Sequence, residues 1–170
     1  MNGEKGPVRC LQLLGLDDLA AQQILQDKGV IGDNFSGLIE RYQGNALWLK
    51  IVASMIQDLF GGSVCEFLKY DSLFLGEELQ TILAQQYNRL SDIEKAVMRI
   101  MAEKTEPASP ENLIKALNLS PTEVFNSLQS LTRRSLIEKN QTDFILRPLF
   151  RQYVKIATDL VDVSQKIIVG

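Results

Sequence analysis

Few side chains in this 170-residue chain are of the types that do chemistry. There is no histidine, which excludes histidine-dependent triads and histidine metal sites. The two cysteines, Cys10 and Cys65, cannot build a structural zinc site alone, and they read as small buried hydrophobes rather than as a disulfide. A phosphate-cradling loop needs Gly-x-x-x-x-Gly-Lys-Ser/Thr between a strand and a helix. The stretch from Gly29 to Gly37 has glycines without the lysine, and Gly61-Gly62-Ser63 leads only to Val64. The acid pairs Asp17-Asp18 and Glu77-Glu78 stand at expected helix starts, where the helix dipole favours them. No catalytic residue and no metal site is therefore identified, and the chain is not expected to be an enzyme by itself.

Cations are the remaining candidates. Arg133 and Arg134 close an expected helix that starts at Pro121, and Lys139 lies in the segment after it. Read as a DNA-contacting set, these three would neutralise phosphates beside a helix presenting Thr122, Glu123, Asn126, Ser127, Gln129 and Ser130. Glu123 near the leading end makes that helix poorly equipped for the task, and Arg133 and Arg134 are explained as favourable charges at a helix C-terminus. Arg147, taken by itself, reads as a solvated arginine after an edge strand. Trp48, the one tryptophan, reads as core with a partner-facing anchor as the alternative.

Apolar residues at 45% and charged residues at 23% suit a globular chain able to bury a core. No apolar run approaches the roughly 18 to 20 residues needed to span a bilayer, and the N-terminal residues lack a secretory pattern. The expectation is a cytoplasmic protein with no membrane partner. Residues 1–88 carry 6 Lys and Arg against 11 Asp and Glu, whereas residues 89–156 carry 11 against 8. That change of sign supports a boundary near residue 89.

The elements follow from caps and periodicity. Val8 to Leu13 alternates like a half-buried strand. Asp17 or Asp18 then caps a helix with Leu19, Ala20, Ile24 and Leu25 on one face. Asp33 or Asn34 starts a short helix with Leu38, Ile39 and Tyr42 inward, ending at Gly44. Asn45 caps the central helix, whose expected apolar face is Leu47, Trp48, Ile51, Val52, Met55, Ile56, Leu59 and Phe60. Short helices over 63–69 and 77–90 complete a bundle. Capping boxes at Ser91–Glu94 and Ser120–Glu123, and Ser109 before Pro110, open helices at about 91–103, 110–117 and 121–135. Leu136–Lys139 and Phe144–Leu146 flank the polar turn 140–143, and a last helix runs from about Pro148 to Leu160. The fold class is mainly α: a small helical bundle followed by a winged-helix domain with a short β-hairpin. The expected organisation is a strand and linker over 1–16, a bundle over 17–88, a winged helix over 89–160 and a tail over 161–170.

Tyr42-Gln43-Gly44-Asn45-Ala46-Leu47-Trp48-Leu49-Lys50 resembles the "Y-x-G-N-P-L-A-L-K" segment of the NB-ARC (STAND-type) signal-transduction ATPases, closest in wording to the bacterial WD-repeat-associated branch. Leu90-Ser91-Asp92-Ile93-Glu94-Lys95 and the order of elements are similar to the same family. The resemblance runs from about Val8 to about Lys155. It covers the family's helical and winged-helix parts and lacks its P-loop core. It implies that Gly44, Asn45 and Ala46 contact nucleotide, with Ala46 where the family has an adenine-contacting proline. Leu146-Arg147-Pro148 matches the family's Met-His-Asp motif, so Arg147 stands where its histidine reads the β-phosphate. By that resemblance ADP or ATP is bound together with a P-loop ATPase core, in cis or in trans, and lobe closure over ADP drives oligomerisation or effector release. Two other readings remain: a winged-helix DNA-binding regulator dimerising through its first lobe, and a protein-binding adaptor that has left nucleotide behind.

Overall fold

The computed structural model describes residues 15–70 and 74–169, so the expected strand over 8–13 and Cys10 lie outside the described residues. Nine helices and one hairpin follow in order within them: α1 (Asp18–Asp27), α2 (Phe35–Arg41), α3 (Ala46–Phe60), α4 (Val64–Leu68), α5 (Glu77–Asn88), α6 (Asp92–Glu103), α7 (Pro110–Leu117), α8 (Pro121–Arg133), β1 (Ile137–Asn140), β2 (Asp143–Leu146) and α9 (Pro148–Val169). The chain is mainly helical, with a small antiparallel two-stranded sheet, as the periodicity predicts. The helix expected to stop near Leu160 continues to Val169, so residues 161–169 are helical backbone rather than a tail.

Most helix starts are where side-chain oxygens can satisfy free backbone donors. Asp17 accepts from the Ala20 N–H, Asn34 from Gly37 and Ser63 from Glu66. Both expected capping boxes are closed reciprocally, Ser91 with Glu94 and Ser120 with Glu123. In the first half α3 packs against α1, α4 and α5. Its buried face is Trp48, Leu49, Val52, Ala53 and Ile56, whereas Leu47 and Leu59 are exposed. Most of the expected stripe is therefore in place, with Trp48, Val52 and Ile56 buried and Ile51, Met55 and Phe60 packed against the core. Leu47 and Leu59 fall outside it, and Leu49 and Ala53 join it because neighbours cover that side. The same correction applies to α1, where Ala21 and Leu25 are buried and Leu19 is exposed. Cys65, expected inside, is exposed on α4.

A parallel bridge between Ile31 and Ser63 ties the α1–α2 loop to the α3–α4 loop. The buried Tyr42 hydroxyl donates to the Phe74 carbonyl at 3.1 Å, and burial pushes its phenol up to about 12 against the lowering charge of Arg41. In the second half α6 packs on α8 and α9, and β1 pairs with β2 from Ile137–Leu146 to Asn140–Asp143. Ala108, in the α6–α7 connection, exchanges two backbone hydrogen bonds with Phe144 and so covers the outer edge of β2. The buried side chains form one cluster through both halves. Trp48 of α3 meets Phe150 of α9 edge-on at 6.3 Å, and Tyr87 of α5 meets Tyr153 at 5.7 Å. Trp48 is thus core. No helix among the described residues is long and apolar enough to cross a membrane.

Candidate functional site

The α2–α3 connection is set by two consecutive left-handed residues, Gln43 (φ 55°) and Gly44 (φ 60°). Gly44 has a second reason to be glycine. The Leu16 N–H donates to its carbonyl at 2.9 Å, and a Cβ at Gly44 would lie 2.9 Å from the Leu16 oxygen. Asn45 then caps α3, its Oδ1 accepting from the N–H groups of Leu47 at 3.0 Å and Trp48 at 3.1 Å. That oxygen is committed to the backbone. Ala46 follows as the first residue of α3, half-buried.

Arg147 arrives at this turn from 104 residues away. One guanidinium nitrogen donates to Gln43 Oε1 at 3.3 Å, and another pairs with Glu138 Oε1 of β1 at 3.0 Å. Its side chain is only 18% exposed, so it is enclosed rather than solvated. The register places it: Ile137 pairs with Leu146, the Arg147 N–H donates to the Leu136 carbonyl, and Pro148 opens α9 in the first-turn position that suits its ring. The Nε–H groups of Arg147 and of Arg151, one turn along, are buried and meet no acceptor. Burial also lowers the pKa of the Arg151 guanidinium from its ordinary value. On the helical side of Gln43 lies an open cleft of about 490 Å³, lined by Leu16, Asp18, Ser36, Glu40, Gln43 and Gly44 among others.

Gly44, Asn45, Ala46 and Arg147 are therefore brought into one region, with Gln43 as the contact between its two parts. Sequence reasoning missed Gln43 and Glu138. Neither has a local signal, since a glutamine is not favoured at positive φ and Glu138 gains its meaning only from strand pairing. A nucleotide fits this set unevenly. The planar, forked guanidinium of Arg147 suits phosphate, whereas Ala46 offers a methyl where the resemblance calls for a ring.

Of the cations of the DNA reading, Arg134 is separated from the other two. The Arg134 guanidinium donates to the Arg89 carbonyl at 3.3 Å and lines a cleft with Gln86. Arg133 and Lys139 line a different groove, between α8 and the hairpin. The outer face of α8 differs from expectation at Ser127, which is buried, and it also carries Phe125, 53% exposed. No cluster of three or more potential metal ligands occurs among the described residues.

No protein-family model matches the chain. Among solved structures, it is similar to a signal transduction ATPase with numerous domains (STAND) protein with a tetratricopeptide repeat sensor from Pyrococcus horikoshii. That similarity has 21% identity and a TM-score of 0.44, over 84% of this chain and 19% of that one. Among curated proteins, an uncharacterized WD repeat-containing protein of Nostoc sp. (strain PCC 7120) is 38% identical over 159 residues. The match takes in 89% of this chain but only 13% of that protein's length, so the chain is similar to one segment of a much longer bacterial WD repeat-containing protein.

Proposed function

We propose that the chain is the regulatory helical and winged-helix portion of an NB-ARC-type nucleotide switch, closing over ADP held by a separate or upstream P-loop core. The observation that carries this reading is the Arg147–Gln43 contact. It joins the residue matched to the family's phosphate reader to the turn matched to its adenine contact, although the two are 104 positions apart in sequence. The WD repeats named for the Nostoc relative agree with the WD-repeat-associated branch that the sequence resembles.

In this reading the phosphates lie on the Arg147 side of Gln43, because the Asp18 and Glu40 carboxylates in the adjoining cleft repel them. Gln43 and Glu138 act as resident acceptors that hold the guanidinium until phosphate replaces them. The chain supplies no Gly-Lys-Ser/Thr loop, so hydrolysis belongs to the core and not to this part. Lobe position then follows nucleotide state, because a ligand shifts a population only by its differential affinity for the two arrangements. Protein effectors and oligomerisation partners read that arrangement. The DNA reading is not favoured, since Arg134 is turned away from Arg133 and Lys139.

Calorimetric titration with ADP, and with ATP plus magnesium, at about 100 µM protein tests the reading in the range expected of a partial site. Heat that disappears in Arg147→Ala supports it. Absence of heat with the chain alone, and again after mixing with a P-loop core from a WD-repeat relative, sinks it.

A further inference from the structure

We infer that the groove between α8 and the β1–β2 hairpin is a docking surface for an acidic peptide segment carrying a large apolar side chain. The groove encloses about 480 Å³, within the several-hundred-Å³ range of sites that take a compact ligand. Its walls are apolar, formed by Pro110, Phe125, Leu128 and Phe144. Phe125 stands 53% exposed on the outer face of α8. A phenyl ring left in water at the mouth of an apolar groove gains free energy when a partner covers it.

Charge selects the partner. Arg133 from the end of α8 and Lys139 from β1 line this groove, and no carboxylate among the described residues does. Of the two hairpin acids, Glu138 is paired with Arg147 and Asp143 accepts a hydrogen bond from the Thr142 hydroxyl at the turn. A basic segment would be repelled, whereas an acidic one gains two rim contacts that also steer its approach. Nucleic acid is disfavoured by the same features. Phosphate binding needs several cations in register, but Arg134 is bonded to the Arg89 carbonyl elsewhere, and Glu123 puts a carboxylate at the leading end of α8. Apolar walls add nothing to backbone recognition of a duplex. The groove shares no lining residue with the Gln43–Arg147 cluster, so this inference stands whether or not nucleotide binds.

Fluorescence anisotropy with labelled synthetic peptides tests it on the whole chain. The probes are a peptide interleaving Glu with Leu and Phe, its Lys-for-Glu counterpart, and an acidic peptide with Ser in place of Leu and Phe. A random-sequence DNA duplex is the competitor. Binding of the first peptide, weakened about tenfold or more by Phe125→Ser and by Arg133→Glu with Lys139→Glu, is the expected result. Circular dichroism confirms that these surface variants keep the helical fold. The inference is overturned if no peptide binds, if the Lys or Ser peptide binds as tightly as the first, or if the variants leave binding unchanged. It is also overturned if the duplex displaces the peptide and loses affinity in the same variants.

Discussion

At the scale of single residues, Arg147 concentrates the chemistry. Its guanidinium is mostly enclosed and already has a carboxylate and an amide as partners, so any phosphate must compete with them. Replacing Glu138 by Gln removes the charged competitor while keeping the shape. In the proposed switch, ADP affinity in calorimetry is expected to rise several-fold in Glu138→Gln and to fall about tenfold or more in Arg147→Ala. Arg147→Lys should not restore binding, because an ammonium cannot address two acceptors in the fork geometry of a guanidinium. Equal affinities in Glu138→Gln and the wild type would show that Glu138 does not compete.

Elements are held by their ends. At the start of α3, Gly44→Ala must strain a left-handed backbone and push a methyl against the Leu16 carbonyl, whereas Asn45→Ala removes only the cap. Denaturant titration should show a loss of about 1 kcal/mol for Asn45→Ala and a larger loss for Gly44→Ala. A smaller loss for Gly44→Ala would mean that the turn readily relaxes. Glu94 closes the capping box of α6 from a buried position. Burial alone raises its pKa, but hydrogen bonds from Ser130 and Ser91 and the charge of Arg134 outweigh that and hold its carboxyl below the usual value of 4.5. A carboxyl depressed in the folded state contributes stability that is fully present above its unfolded-state pKa, and that is lost as pH falls through its folded-state value. Chemical denaturation between neutral and acid pH should show this loss in the wild type. The slope should be shallower in Glu94→Gln; an unchanged slope would assign acid sensitivity to other carboxylates.

For the whole molecule, the decisive feature is that the buried cluster does not stop at residue 88. Trp48 against Phe150 and Tyr87 against Tyr153 place aromatic rings from both halves in that cluster. Unfolding followed by Trp48 fluorescence, which reports on α3, is expected to coincide with loss of helical circular dichroism. Phe150→Ala should shift both probes together by about 3 to 5 kcal/mol. Two separated transitions would show that the halves melt independently and that their contact is weak. In a switch, such a contact must be strong enough to define a closed arrangement and weak enough for a ligand to release.

Much of this was legible along the chain because its physical causes are local. The caps at Asn45, Ser91, Ser109 and Ser120 act over three residues, and the hairpin follows from two short apolar runs around a polar turn. The candidate residues Gly44 to Ala46 and Arg147 were nameable from motif resemblance alone. What only the tertiary structure decided was which faces are covered. Leu49 lies inside and Leu47 outside, although both are leucines on one helix, because burial depends on what packs alongside and not on periodicity by itself. Ser127, expected on the outer face of α8, is buried for the same reason. The contact of Gln43 and Glu138 with Arg147, and the parting of Arg133 from Arg134, arise from the packing of elements remote in sequence. No local free-energy term along the chain encodes such distances.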